Sequence, residues 1–278
     1  MSVDPASQAP SAHERVDVRD LRAIMLDMDG VLYRGDTAIA GARELLEFLR
    51  LRGIPSLFLT NNSSLTPQDY VTKLARMGIQ TTPDRVLTSA LVAVEDLRRI
   101  ATPEDRIFLL GGAGIRAAMA IAGLTLADRY TDATYVLAGL DRSLTYEKLS
   151  QAGLAIQRGA KFLATNGDLS FPTERGLEPG AGALLSVIEA TTGVKPKLYG
   201  KPEPEMFQQA LRILGTPPEL TGMVGDRYET DIVGALRIGM TTIAVTTGVS
   251  GEDALRAANP PPDHIFSSVL ELRAALDA

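Results

Sequence analysis

The 278-residue sequence has no cysteine, no tryptophan and only two histidines, His13 and His264. The missing cysteine excludes disulfides, a thiolate nucleophile, thiolate zinc sites and iron–sulfur ligation. Two histidines cannot build a His metal cluster, and a Ser-His-Asp triad would depend on a residue near one chain end. Long apolar runs are also missing. The stretch Ala117–Ala127 has 11 residues, short of the roughly 18 a membrane span needs. There is no basic excess: 28 Lys+Arg against 34 Asp+Glu give a net charge of −6. A nucleic-acid or anionic-membrane partner would want the opposite sign. Residues Met1 to about Ala12 carry no apolar signal core. The expectations are a disordered tail over 1–21 and a cytoplasmic location. Carboxylates, hydroxyls, amides, Lys and Arg are left to do the chemistry.

What is present reads as a globular chain. Hydrophobic residues make up 45% and charged residues 22%, near the globular average, and the length suggests about two domains. Strand-like and helix-like segments alternate. Ala23–Met28, Pro55–Thr60, Arg106–Leu110, Thr134–Ala138, Lys161–Ala164, Thr221–Val224 and Thr241–Val245 read as strands. Helical patterns fall at Gly41–Arg52, after Thr66, near Ile115–Ala122, at Tyr146–Arg158 and near Glu229–Ile238. Thr66-Pro67-Gln68-Asp69 has the form of a helix start, and Gly78 that of a stop. Such alternation implies parallel sheets covered on both faces.

Ligands of open parallel sheets bind beyond the carboxyl ends of the strands, and four sets of residues fall at such positions. Asp27 and Asp29 are two apart on extended chain, so their side chains share one side while Met28 turns away. Two like charges that close are relieved by a cation or a shared proton. Asp226, after the Thr221–Val224 strand, offers a third carboxylate, and Asp231 a fourth. An oxygen-only set of this kind suits Mg2+. Thr60-Asn61-Asn62-Ser63-Ser64 supplies hydroxyls, amides and N–H groups ahead of a helix start, which suits phosphate oxygens. Lys201 lies between Gly200 and Pro202, a fixed setting for a positive charge beside a phosphoryl group. Each set has a plain alternative: a surface turn, a polar cap, a solvated lysine, helix N-terminal acids.

Taken in order, the sets resemble the four motifs of the haloacid dehalogenase-like superfamily. Asp27-Met28-Asp29-Gly30-Val31-Leu32-Tyr33 resembles the first motif, Thr60–Ser64 the second, Gly200-Lys201-Pro202 the third and Gly225–Asp231 the fourth. Ala164-Thr165-Asn166-Gly167-Asp168 and Pro179–Ala183 are similar to the NagD-like, p-nitrophenyl phosphatase and phosphoglycolate phosphatase branch. The resemblance spans about Arg22 to Leu272. It implies a doubly wound, Rossmann-like α/β core over 22–85 and 196–278, with an inserted α/β cap domain over 86–195. It also implies a phosphatase acting on a small phosphorylated metabolite. In that scheme Asp27 attacks phosphorus and Asp29 is the acid–base. Mg2+ is held by Asp27, the Asp29 backbone carbonyl and Asp226, with Asp231 behind a water. Thr60, Asn61 and Lys201 bind the phosphoryl group. Asn166 and Asp168 are the cap's candidates for touching substrate. Homo-oligomerisation stays open.

Two rival readings come from the residues. Gly112-Ala113-Gly114-Ile115-Arg116-Ala117 follows a strand, opens a helix and has Asp132 about 20 residues on, as a dinucleotide fingerprint asks. A non-enzymatic phospho-aspartate switch also needs acids, a hydroxyl, a Lys and Mg2+. It lacks an acid two residues after the phosphorylated Asp, the position Asp29 fills.

Overall fold

The structure is a computed structural model that describes residues 16–173 and 175–278. In chain order its first elements are β1 (Ala23–Asp27), β2 (Tyr33–Arg34), β3 (Thr37–Ala38), α1 (Ala42–Leu51), β4 (Ser56–Thr60), α2 (Pro67–Arg76), β5 (Val86–Thr88) and α3 (Ser89–Ile100). Next come β6 (Ile107–Leu110), α4 (Ala113–Ile121), β7 (Tyr135–Ala138), α5 (Tyr146–Gln157), β8 (Lys161–Ala164), β9 (Ser170–Thr173), β10 (Gly176–Pro179), α6 (Ala181–Thr192) and β11 (Lys197–Leu198). The chain closes with α7 (Pro204–Leu214), β12 (Thr221–Gly225), α8 (Val233–Arg237), β13 (Thr241–Val245), α9 (Glu252–Ala257), β14 (His264–Phe266) and α10 (Val269–Asp277).

Six strands form a parallel sheet in the order β14-β13-β12-β1-β4-β5. A second parallel sheet has the order β11-β8-β7-β6. Strand β1 is central, paired with β4 on one side and β12 on the other. Its residues Ala23 to Leu26 have no exposed surface, so an unbroken apolar run fits a strand covered on both faces. From β1 the chain builds outward through β4 to β5 on one side, and from β12 it builds outward through β13 to β14 on the other, so the order reverses between β1 and β12. That arrangement opens a crevice at their carboxyl ends.

Local chemistry fixes the flanking helices. In α1 the buried residues Ala42, Leu45, Phe48 and Leu49 lie on one face. At the start of α2, Thr66 and Asp69 form a reciprocal capping box with Pro67 in the first turn. Gly78, at φ +76°, turns the chain out. The helix expected over 229–238 takes another form. Tyr228–Ile232 is a wider π-helical turn, and only Val233–Arg237 is α-helical. Close packing enforces this, because a Cβ on Gly225 would lie 2.2 Å from Asp231 Cβ. Such turns recur where a side chain is re-aimed for function.

The sheets divide the chain at somewhat different points from the expected 86 and 195. Strand β5 pairs with β4 in the six-stranded sheet, and β11 pairs with β8 in the other. Of the expected tail, residues 1–15 lie outside the described residues. Residues 16–21 are ordered: Val18 and Leu21 are buried, and the Val16 carbonyl meets His264 Nε2 at 2.8 Å. Among the described residues no helix is long and apolar enough to cross a membrane.

Candidate active site

The expected residues converge. Asp27 ends β1, Thr60 ends β4 and Asp226 follows β12, so three adjacent strands deliver them to one crevice. Lys201 comes from the chain between β11 and α7. Its Nζ lies 2.6 Å from Asp27 Oδ1 and 2.6 Å from Asp231 Oδ1, and it is buried. Carboxylate oxygens of Asp27, Asp226 and Asp231 lie within 4.8 Å of one another. Asp29 sits apart from this group, at the solvent-exposed mouth, while Met28 turns fully into the core as the alternation requires.

Three carboxylates around one ammonium leave an excess of negative charge. Burial, and then the neighbouring acids Asp231 and Asp226, hold Asp27 well above the usual carboxylate range against the pull of Lys201. Burial and Asp231 push Asp226 up to about 6. Lys201 is held firmly charged: Asp231 and Asp27 outweigh its burial. Asp29 is raised by the protein around it, opposed by Lys73, Arg227 and Arg34. A divalent cation would relieve the charge excess. The donor set is all oxygen, as a hard cation prefers, and the residues fit Mg2+.

Backbone close to Asp226 completes the cradle. Val249 N–H donates to Asp226 Oδ2 at 2.7 Å. A Cβ on Gly30, whose φ is +88°, would lie 2.5 Å from that oxygen, and a Cβ on Gly248 only 1.8 Å. The loop after β13 is thus part of the site, and sequence reading missed it. It contributes an N–H and an absent side chain, neither of which stands out as a motif, although its strand-end position was a usable signal. Arg227 was also missed. Its guanidinium points to the cap at 3.9 Å from Asp168.

The second set is arranged partly as expected. Thr60 Oγ1 accepts from Asn62 N–H at 3.1 Å. Asn61 spends its amide hydrogens on the Lys201 carbonyl at 2.9 Å and on Asp168 Oδ2 at 3.1 Å. Asn166 is buried and engaged at both ends of its amide. It donates to the Asn61 carbonyl at 2.7 Å and accepts from Asp168 N–H at 3.1 Å. Asp168 turns one oxygen to Asn61 and the other towards Arg227. The loop after β8 therefore seats the four-stranded sheet directly on the crevice.

The glycine-rich start of α4 has a different job from holding a dinucleotide. A Cβ on Gly114 would lie 2.5 Å from the carbonyl oxygens of both Ser63 and Leu65, and Gly114 N–H donates to the Ser64 carbonyl at 3.1 Å. The space a pyrophosphate would need is filled by the chain that follows Thr60.

Comparison with known proteins agrees with this geometry. A model of the haloacid dehalogenase-like hydrolases matches residues 24–125, and a related HAD-hydrolase-like model matches 198–272. An acid sugar phosphatase of Staphylococcus aureus (strain USA300) is 42% identical over 261 residues, covering 94% of this chain and all of that protein. The crystal structure of a 4-nitrophenylphosphatase from Thermotoga maritima superposes with a TM-score of 0.88 at 35% identity, covering 94% of this chain and 99% of that one. A glycerol phosphate phosphatase from Mycobacterium tuberculosis, in complex with magnesium, gives 0.86 at 30% identity, covering 94% and 78%. Matches of this extent at both ends of the sequence show the family: the chain belongs to the haloacid dehalogenase-like hydrolases.

Proposed function

We propose that the chain removes phosphate from small phosphorylated metabolites by way of a transient phosphoryl group on Asp27. It is a phosphoric monoester hydrolase, and the observation that supports this route is the Asp27–Lys201–Asp231 array. Lys201 keeps Asp27 in contact with a fixed positive charge, 2.6 Å away, which favours an ionised nucleophile and balances charge on the phosphoryl oxygens. Asp27 attacks phosphorus in line, and the P–O bond to the leaving group breaks. Asp29, raised but open to solvent, gives its proton to the leaving oxygen. It then takes a proton from the water that cleaves the phosphoryl–Asp27 bond. Thr60 and Asn61 line the phosphoryl side of the crevice. Asp231 anchors Lys201.

Asp27, Asp226 and the backbone carbonyl of Asp29 would hold Mg2+, with Asp231 one shell out. When bound, the ion supplies positive charge to the phosphoryl oxygens. The four-stranded sheet with its helices acts as a cap that excludes water and meets the leaving group. Within it Asn166 sets the loop, and Asp168, half-buried between Asn61 and Arg227, is the candidate for meeting a substrate hydroxyl. The relatives' names, an acid sugar phosphatase and a glycerol phosphate phosphatase, make sugar and polyol phosphates the first substrates to try.

A panel of sugar, polyol, nucleotide, pyridoxal and carboxylated phosphate esters, assayed for phosphate release with Mg2+ and with EDTA, tests this reading. Release that needs Mg2+ and disappears in Lys201→Met supports it. Release unchanged by EDTA contradicts the metal assignment.

A further inference from the structure

The chain crosses between its two sheets twice. The outward crossing carries α3, which follows β5 and leads to β6. The return is short: Leu198 ends β11, and Lys201 comes three positions later. A cluster that the phosphatase chemistry leaves unused ties the two crossings together. Asp96, on α3, accepts at Oδ2 from the Tyr199 hydroxyl at 2.6 Å and from Lys197 Nζ at 3.0 Å. Lys197 also reaches Glu205 Oε1 on α7 at 3.3 Å and lies 4.7 Å over the Tyr199 ring. Tyr199 itself has no exposed surface. On its other side the crossing is pressed against the crevice, where a Cβ on Gly200 would lie 2.5 Å from Asn61 Oδ1 and 2.7 Å from the Thr165 carbonyl. The two residues before Lys201 are therefore gripped from opposite directions.

We propose that Tyr199 and Asp96 are positioning residues that fix the return crossing and so hold the Lys201 ammonium on Asp27. This rests on the reading of Lys201 given above. A lysine stem is long and flexible, so the place of its charge depends on the place of its backbone. A shift of about 1 Å at a reacting centre costs on the order of 10²-fold in rate. The Asp96–Tyr199 bond spans the two crossings, so the outward crossing braces the return one just before Lys201.

Tyr199→Phe keeps the buried ring and removes only the hydroxyl. With p-nitrophenyl phosphate, kcat per folded molecule should fall about tenfold, with KM changed less than about twofold, the pattern of a loss felt in the transition state. Asp96→Ala should give a similar loss, and the double variant should lose no more than either alone. Lys201→Arg keeps the charge but displaces it, so adding Tyr199→Phe there should change little. A wild-type kcat in Tyr199→Phe overturns the proposal. So does a loss that follows only the folded fraction or thermal midpoint, or full additivity with both Asp96→Ala and Lys201→Arg. If Lys201→Met itself turns over normally, the reading of the site fails instead, whatever Tyr199→Phe does.

Discussion

In the proposed route Asp29 is the residue that separates hydrolysis from storage of a phosphoryl group. Replacing it with Asn keeps its size and removes its proton, and both chemical steps should slow by about 10²–10⁴. Pre-steady-state kinetics with p-nitrophenyl phosphate would measure this, and an unchanged second step would show that another base activates water. Gly248 carries a sharper steric prediction. A Cβ there would lie 1.8 Å from Asp226 Oδ2, so Gly248→Ala should displace that carboxylate and weaken Mg2+ activation at least about tenfold. A Mg2+ titration of activity checks it. These two residues also show what one sequence discloses. Asp27, Asp29, Lys201 and Asp226 were legible as candidates because each carries its own chemistry and stands at or just past a strand end or beside a Pro, and Asp231 because it follows Asp226 by five residues. Gly248 and the Val249 N–H act through backbone and absence, so only their place after a strand marked them. Nor does spacing alone say that the Asn166 amide is spent on the Asn61 carbonyl and Asp168 N–H.

Helix α4 shows how a motif's meaning is settled by its neighbours. Its opening glycines satisfy a nucleotide fingerprint, yet they make room for the Ser63–Leu65 chain. Gly114→Ala should therefore push α4 off that chain and destabilise the protein by about 1–3 kcal/mol, the usual cost of overpacking. Thermal or urea unfolding would record it, and a variant as stable as the parent would mean that the contact is slack. Strands β1, β4 and β12 were readable from apolar runs, and α2 from its cap residues, because those signals are local. The π-helical turn over Tyr228–Ile232 was not. It follows from the approach of Asp231 to Gly225, a contact made only once β12 and the next turn are folded together. The edges of the second sheet were blurred for the same reason. β11 is two residues long and is defined by pairing with β8, not by any periodicity of its own.

Across the molecule, a net charge of −6 surrounds a crevice that must admit a phosphate dianion, so the local balance of Lys201, Arg227 and a cation against the acids decides binding. That balance gives the pH behaviour a definite sign. Without cation, folded Asp226 takes up its proton near 6, against an ordinary value of 3.8. The folded state then binds more protons than the unfolded one between those values. Stability of the metal-free protein should fall as pH rises from about 4 to about 6, and the loss should persist above. Mg2+ binds the deprotonated set, so it should raise the thermal midpoint more at about pH 7.5 than at about pH 5. Equal increments at both would mean that the ion binds elsewhere. The most direct test is chemical trapping of the enzyme during turnover. A sample quenched in acid with substrate present and reduced with borohydride should yield homoserine at position 27, identified by peptide mass spectrometry, and Asp27→Asn should yield none while losing turnover. Homoserine at another acid, or undiminished turnover in Asp27→Asn, would contradict the assignment of Asp27 as the nucleophile.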